Sequence, residues 1–491
     1  MSRRFTKIST LLTFALLLAG CTVGPKYQRA SAPVAAHWDV AAPFRESAPN
    51  DALHKGEWWA IFHDDTLNSL ELDALGANQT LKVAAAHLEE ARASAALQVS
   101  TQFPQFGTTP SVLRQRLSGN RPTSNTVIPS TPFTQSTFML PFTVSYEADL
   151  FGGRRHSIEA AQASYQATGA GLENTRLIIT AELAGDYFSL RQVDTEIGIL
   201  RRTVDALTKG LELVNSRHAG GIASGLDVAQ EETLLNTTRT QSILLQQQRK
   251  QLEDAIAVLA GKPAPDFHLP TRELDAEPPP INAGLPSDLL ERRPDIAEAE
   301  REMAVANAQV GIARAAYFPS LNLFADGGWQ SANIAKLLNV QSTLWAFGAT
   351  AAESIFTGGA RRAQNQFARS GYDASVAAYR QTVLSAFGEV QDDVTGLLVL
   401  DEAQKSQQDA VDAARRTLTI AESRYTGGLV SYLDVVNAQQ NLLNNEQEMA
   451  VIRGQKLVTS VLLVKALGGG WDASSLAALQ VKPKLKDAVA P

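Results

Sequence analysis

The stretch Arg217-His218-Ala219-Gly220-Gly221-Ile222-Ala223-Ser224-Gly225-Leu226-Asp227-Val228 returns 207 positions later as Arg424-Tyr425-Thr426-Gly427-Gly428-Leu429-Val430-Ser431-Tyr432-Leu433-Asp434-Val435. Arg, the Gly pair, Ser, Leu, Asp and Val recur in register. Glycine reaches φ > 0 and ends helices, and a serine in this position caps the helix that follows. Each copy lies between two long runs without proline, so each predicts the tight tip of a long helical hairpin.

The same order of elements surrounds each tip. In the first unit, apolar residues at helical spacing over 67–100 predict a helix pair or one helix broken near Gly76. Strict alternation over Phe138–Leu150 predicts a strand, and a weaker strand precedes it at 105–116. The proline-free run that follows predicts a helix over 155–217, which would be about 95 Å long at 1.5 Å per residue. Such a length is typical of a coiled coil or a helical barrel.

The plan restarts after a proline-rich linker at 263–280. A helix is expected from Pro294, then strands at 321–329 and 344–356, then the second hairpin. No apolar run after residue 20 has the length of a membrane-spanning helix, so membrane insertion requires a closed β-barrel. Four strands cannot close a barrel. The sequence therefore predicts that the chain completes its barrel with copies of itself.

The N-terminus has the form of a secretory signal. A basic start precedes an apolar run over 11–18, and Leu18-Ala19-Gly20 leads into Cys21, the only cysteine of the chain. This pattern is typical of a signal peptide with small residues at its cut site. Leu-Ala-Gly-Cys also resembles a bacterial lipobox, which implies that Cys21 becomes an acylated first residue carrying palmitate. The alternative is an ordinary signal peptide with an incidental cysteine.

Composition argues against several classes of function. The 491 residues carry a formal charge of −7, without the basic excess of nucleic-acid-binding proteins. His63-Asp64-Asp65 could form a metal corner, but no histidine follows at ligand spacing, and a solvated loop is the simpler interpretation. The Gly220-Gly221 stretch lacks the Gly-Lys-Ser/Thr ending of a phosphate loop. We therefore expect no enzyme activity, no cofactor and no bound metal.

The motifs taken in order resemble the lipoprotein branch of the TolC family of outer-membrane efflux factors. The residues that carry the resemblance span nearly all of the mature chain: Gly20-Cys21-Thr22-Val23-Gly24-Pro25-Lys26-Tyr27, Trp58-Trp59, Leu290-Glu291-Arg292-Arg293-Pro294-Asp295-Ile296, Tyr317-Phe318-Pro319-Ser320-Leu321 and the second tip. The resemblance implies a mainly α fold with a transmembrane β-barrel and a two-fold internal repeat. Three chains would form a 12-stranded β-barrel continued by a 12-helix α-barrel.

The resemblance also implies a function. The homotrimer would be the outer-membrane channel of a tripartite efflux system, passing small molecules from an inner-membrane pump and a periplasmic adaptor to the exterior. Its partners would include outer-membrane lipid, and it would be anchored at Cys21 in a Gram-negative outer membrane and extend into the periplasm. Two alternatives stay open, namely an exit duct for type I protein secretion and a structural periplasmic coiled-coil lipoprotein. The alternating strands speak against the second.

The tips are the predicted periplasmic gate. Gly220, Gly221, Gly427 and Gly428 would form the turns, and the gate residues would be Asp227, Tyr425, Leu433, Asp434 and Asn437. The resemblance implies a ring of aspartates beside an apolar constriction, with Tyr425 hydrogen-bonded to the first hairpin. The family often has a further aspartate where this chain has Asn437, so a less charged gate is expected. The alternative for both aspartates is that of ordinary carboxylates at helix starts.

These expectations divide the chain into ten segments. They are a signal peptide (1–20), a lipidated arm (21–65), helical barrel (66–103), β-barrel strands 1 and 2 (104–151), hairpin 1 (154–262), a linker or equatorial region (263–288), helical barrel (289–317), β-barrel strands 3 and 4 (318–357), hairpin 2 (360–468) and a C-terminal tail (469–491).

Overall fold

Helices make up most of the computed structural model, which describes residues 22–34, 56–119, 131–279 and 289–482. Cys21, the predicted signal peptide and the last nine residues of the tail lie outside these ranges. The helices are α1 (Asp65–Ala77), α2 (Gln79–Ser100), α3 (Gly153–Ala219), α4 (Gly225–Leu259), α5 (Leu289–Arg292), α6 (Pro294–Ala315), α7 (Ala360–Thr426) and α8 (Tyr432–Ala466). The strands are β1 (Gln105–Thr108), β2 (Ser111–Leu117), β3 (Phe133–Ala148), β4 (Ser320–Ser331) and β5 (Thr343–Ala352).

The duplication seen at the tips extends to the helix bounds. Helices α3 and α7 each have 67 residues, and α4 and α8 each have 35. Both long helices start after a glycine in the left-handed region, Gly152 at φ 85° and Gly359 at φ 91°. Only glycine adopts such a backbone without strain. The strand-to-helix junction of each unit is therefore set by one residue type at the same place.

The helices before the first strand form a pair. Asn78 separates α1 from α2, and its side-chain oxygen accepts a hydrogen bond from the amide of Leu81 at 3.0 Å, which caps α2. Its side-chain nitrogen donates to the Leu259 carbonyl at 2.8 Å. One asparagine thus ends one helix, starts the next and ties both to the end of α4.

The strands form one antiparallel sheet in the order β1, β3, β4, β5, with β2 on the same edge of β3 as β1. Thr108 pairs with Phe142 and Ser111 with Met139, so β1 and β2 keep one register. They are the two halves of the strand predicted at 105–116, which Pro110 interrupts because proline has no amide to donate. The strand predicted at 344–356 ends at Ala352, before the turn that leads to Gly358-Gly359.

Three arginines that follow the second strand of each unit contact carboxylates. Arg154 contacts Glu147 at 2.5 Å, Arg155 contacts Asp149 at 3.0 Å, and Arg361 contacts Glu353 at 3.1 Å. These ion pairs link the end of each second strand to the start of the long helix that follows it.

The N-terminal arm runs along the helices of the second unit. The Val23 amide donates to the Phe151 carbonyl at 3.1 Å, and the Tyr27 hydroxyl donates to Glu300 on α6. Arg29 donates to the Tyr379 hydroxyl on α7 at 3.1 Å. Further along the chain, Trp58 and Trp59 are almost completely buried in the main hydrophobic core between α1, α3 and α8. Within the described ranges, no helix combines the length and apolarity needed to cross a membrane.

One ion pair recurs at the same level of both hairpins. Asp194 on α3 accepts from Arg249 on α4 at 2.6 Å. The residues 207 positions later, Asp401 on α7 and Lys456 on α8, are 2.8 Å apart. In the first hairpin the pair also holds the linker, because Asp194 accepts from the Arg272 amide at 3.1 Å and Arg249 donates to the Leu269 carbonyl at 2.8 Å.

Candidate functional site

Each hairpin turns through a glycine with a left-handed backbone. Gly221 has φ 73° and Gly428 has φ 72°. The residue after each glycine donates its amide five residues back, Ile222 to the Arg217 carbonyl at 2.8 Å and Leu429 to the Arg424 carbonyl at 2.9 Å. This six-to-one bond is that of a Schellman helix end. The predicted tip glycines thus end α3 and α7, and both turns have the same geometry.

The gate aspartates start the returning helices. Asp227 accepts from the Ser224 amide at 2.9 Å, and the Ser224 hydroxyl accepts from the Asp227 amide at 3.2 Å. Asp434 accepts from the amide and the hydroxyl of Ser431 at 3.1 and 2.8 Å. A reciprocal arrangement of this kind is a capping box. Each aspartate therefore stabilises the start of its own helix, independently of any role in the gate.

Tyr425 meets the first hairpin through Arg217. The Arg217 guanidinium lies 5.1 Å from the centre of the Tyr425 ring, and that ring lies 4.9 Å from the ring of Tyr432. Among the described residues of this chain, Tyr425 and Asp227 share no hydrogen bond, because the Asp227 carboxylate is turned toward Ser224. Within one chain, then, a cation–π contact holds the two tips together where the sequence predicted a hydrogen bond.

The remaining gate residues face solvent in the single chain. Leu433 is 46% exposed, and Asp434 and Asn437 are exposed beside it. Asn437 also lines a groove of 450 Å³ between α4 and α8. Four apolar side chains project from the tips: Ile222, Leu226, Leu429 and Leu433. The tips therefore present carboxylates and apolar groups together.

Two contacts at the tips were missed from the sequence. Arg217 recurs as Arg424, but only Arg217 lies over a tyrosine, because position 218 is histidine where 425 is tyrosine. Tyr432, which the sequence marks only as part of the second tip, is 5% exposed and packs with Val214 and Val435. An apolar-faced tyrosine at the first position of a helix was the available signal for this contact.

The chain combines two duplicated helical hairpins, which have matching tips, with an antiparallel sheet. This combination is typical of a class of membrane conduit proteins. A profile of the outer membrane efflux protein family matches residues 72–262 and 285–469 of this chain. The chain belongs to this family. It is the outer-membrane channel component of an efflux system, and this confirms the function and the family inferred from its motifs.

Relatives match over nearly the full length. The chain is 33% identical over 465 residues to the probable efflux pump outer membrane protein TtgC of Pseudomonas putida, covering 94% of this chain and 95% of that protein. It is 31% identical to the pyoverdine export outer membrane protein OpmQ of Pseudomonas aeruginosa, covering 94% and 97%.

Solved structures agree with the fold. The outer-membrane channel OprN superposes with a TM-score of 0.85 at 27% identity, covering 92% of this chain and all of that one. The open state of the MtrE outer membrane channel of Neisseria gonorrhoeae gives a TM-score of 0.79 at 26% identity, covering 92% and 99%. The predicted fold class is confirmed.

Proposed function

We propose that the chain works as a homotrimeric conduit whose periplasmic end is gated by its hairpin tips, and that it receives small molecules from an inner-membrane pump through a periplasmic adaptor. The observation that carries the proposal is the matched geometry of the two tips. Each combines a Schellman turn and a capping box at the end of a 67-residue helix. Because both hairpins of each chain end in the same rigid turn, symmetric copies of the chain could bring equivalent turns together around one opening.

The open sheet supports the trimer. β1 and β2 lie on one outer edge and β5 on the other, and no described residue of the chain pairs with these edges. Unpaired edges cannot face lipid, and chain copies supply the missing partners most simply. Three chains with four strand positions each would close a barrel of 12 strands. The adaptor is proposed to dock on the splayed hairpins and so favour the open state.

The start of the described chain supports a lipid anchor at Cys21. Thr22 is packed against Gly152, so closely that a Cβ at Gly152 would lie 2.6 Å from the Thr22 methyl group. Gly152 is the residue between the sheet and α3. An acyl chain on the preceding residue would therefore enter lipid at the level where the sheet leaves it. Mass spectrometry of the mature protein should find acylated Cys21 at the N-terminus, and an unmodified cysteine would contradict the proposal.

The names of the relatives support small-molecule cargo. They include toluene efflux and pyoverdine export outer membrane proteins. We propose that this chain likewise passes small organic compounds and has no catalytic role of its own. Within the described residues, no group of three or more His, Cys, Asp or Glu side chains is placed to hold a metal ion.

Planar-bilayer recording tests the gate. Tyr425→Phe combined with Asp227→Ala should raise single-channel conductance, because it removes the carboxylate that caps α4 and the hydroxyl of Tyr425, leaving only the ring over Arg217 between the tips. Asp434→Ala should lower the preference for cations, since a carboxylate at a narrow entrance attracts them. Glu232→Gln, an exposed carboxylate further up α4, is the matched control. If both tip variants behave like the control, the tips are not the gate.

A further inference from the structure

A carboxyl group is completely buried between the two hairpins, about two helical turns above the first tip. Glu231 on α4 is 0% exposed, and neither carboxylate oxygen has a hydrogen-bond partner of regular geometry, although the Tyr432 hydroxyl is near enough to act on the carboxyl. Burying an ionised carboxylate without partners is costly, because water no longer solvates the charge. Such a group normally holds a proton instead.

The pocket around Glu231 is built from three helices. On α3, Gly210 leaves room for the carboxyl, because a Cβ at this position would lie 2.5 Å from Glu231 Oε1. The same point lies 3.5 Å from the Tyr432 hydroxyl, which belongs to the second hairpin. Glu231 and Gly210 belong to the first hairpin. The carboxyl is therefore covered by the packing of one hairpin on the other.

The charged surroundings do not offset this burial. From α8, Tyr432 faces the carboxyl, and from α7, Glu422 and Tyr425 act on Tyr432. Along α3, the neighbours Lys209 and Glu212 of Gly210 are exposed to solvent. Burial raises the pKa of Glu231, and the hydroxyl of Tyr432 lowers it by less. Burial and the nearby Glu231 also raise the pKa of Tyr432.

The second unit has no equivalent pocket. At 207 positions further along, Glu231 corresponds to Ala438 and Gly210 to Thr417, while Tyr432 itself corresponds to Gly225 of the first unit. The carboxyl thus occurs once per chain, at the seam between the two hairpins of that chain.

We propose that Glu231 holds a proton while the two hairpins are packed together and releases it to water when they separate, so that periplasmic pH sets how readily the conduit opens. The inference rests on gating by the hairpin tips. The proton leaves the carboxyl as Glu231 becomes solvated, and the resulting carboxylate remains on α4. The packed state binds one more proton per chain than the separated state, so it is favoured at low pH. Its advantage is complete below the ordinary carboxyl pKa and is lost as the pH rises through the raised value.

The first test is the pH dependence of opening in planar bilayers. For the parent, the ratio of open to closed times should rise with pH, by at most about tenfold per pH unit for each chain that separates. Glu231→Gln cannot ionise, so its ratio should stay near the low-pH value of the parent across the range. Glu232→Gln should follow the parent. A Glu231→Gln profile parallel to that of the parent overturns the proposal.

The second test reads the proton directly and does not depend on gating. Infrared spectra of the purified parent at neutral pH should contain protonated carboxyl C=O absorption, to which Glu71 also contributes. Glu231→Gln should remove one component of this absorption, and Glu232→Gln should leave it unchanged. Identical bands in the parent and in Glu231→Gln would mean that Glu231 is ionised, which overturns the proposal even if the variant assembles poorly.

The experiments distinguish failure of gating by the tips from failure of the pH dependence at Glu231. If the tip variants Tyr425→Phe with Asp227→Ala leave conductance unchanged, gating by the tips is refuted and the pH device falls with it. If those variants change conductance while Glu231→Gln keeps the pH profile of the parent, only the pH device is refuted.

Discussion

Replacing Asp194 by alanine should release the linker from the first hairpin. The Asp194 side chain is 0% exposed and bridges Arg191 at 2.9 Å and Arg249 at 2.6 Å, which are themselves 3% and 15% exposed. Removing one partner of a buried ion pair leaves uncompensated charge and costs about 3–5 kcal/mol. In Asp194→Ala, the guanidinium groups of Arg191 and Arg249 would lose the carboxylate that both contact. The Arg272 amide would lose the same carboxylate as its hydrogen-bond acceptor.

The second hairpin supplies a matched control. Asp401 corresponds to Asp194 but is 45% exposed, and its partner Lys456 keeps the side-chain oxygen of Gln404 at 3.0 Å when Asp401 is removed. An exposed pair of this kind contributes about 1 kcal/mol or less, because water screens it. Asp401→Ala should therefore cost several-fold less free energy than Asp194→Ala, although both remove a carboxylate from the same level of the repeat.

Hydrogen exchange can measure the difference locally. The amides of Leu269, Arg272 and Leu274 are all bonded to side chains of α3 and α4. In Asp194→Ala, exchange of a peptide covering 267–275 should accelerate by about 100-fold, which corresponds to roughly 3 kcal/mol of lost local stability. In Asp401→Ala the same peptide should stay close to the parent. Equal acceleration in both variants, or none in either, would refute the assignment of Asp194 as the linker's anchor.

Three further outcomes are expected. Gly328→Ala should lower the yield of folded protein in heat-modifiability gels, because its Cβ would lie 2.2 Å from the Leu140 carbonyl oxygen across the sheet; Gly327→Ala, with open space around it, should not. Burial raises the pKa of Glu71 to about 9, so the folded parent keeps a proton that the unfolded chain releases, and the parent loses stability as the pH rises. The melting temperature of Glu71→Gln should therefore rise relative to that of the parent between roughly pH 5 and pH 8. Hydrogen bonds from Lys405 and Lys456 lower the pKa of Asp401 to about 2. The contribution of Asp401 to folding stability should therefore be complete above the ordinary carboxyl pKa and be lost as the pH falls through about 2. A carboxyl titration by NMR would show the lowered pKa.

The repeat made much of the architecture predictable. Helix starts and ends follow from backbone rules, and Gly152, Gly220 and their counterparts 207 positions later obey them, so the predicted helix over 155–217 is found within two residues at each end. The first strand could be located, and Pro110 marks its break, but its register could not be predicted, since the pairing of Ser111 with Met139 depends on how β3 lies beside it. Contacts between the hairpins could not be predicted, because helical spacing identifies the apolar face of a helix but not the residue of the other hairpin that packs against it.

A closer comparison of the two units would have revealed one more feature. Asp194 and Asp401, and Arg249 and Lys456, match at the same offset as the tips. An acid on the outgoing helix and a base on the returning helix, both kept in register, predict an ion pair across each hairpin. Glu231 could not be found this way, because its counterpart is Ala438. The features that differ between the units are those for which the sequence offers no internal comparison.

The differences between the hairpins bear on which one moves at lower cost. Within the chain, α3 buries 23 of its 67 residues and α7 only 8 of the same number, whereas α4 buries 7 of its 35 residues and α8 buries 14, so the first hairpin buries more residues in total. The ion pair is buried in the first hairpin and half-exposed in the second. The first pair accepts hydrogen bonds from the linker backbone and donates to it, whereas the second reaches the linker only through Lys456 and Glu277, 4.0 Å apart. Separating a helix from its surroundings costs free energy in proportion to the apolar area that it exposes. Within one chain the second hairpin therefore leaves its place more cheaply than the first. Its departure would uncover Tyr432 and Glu231 together, so release of the Glu231 proton would accompany that step.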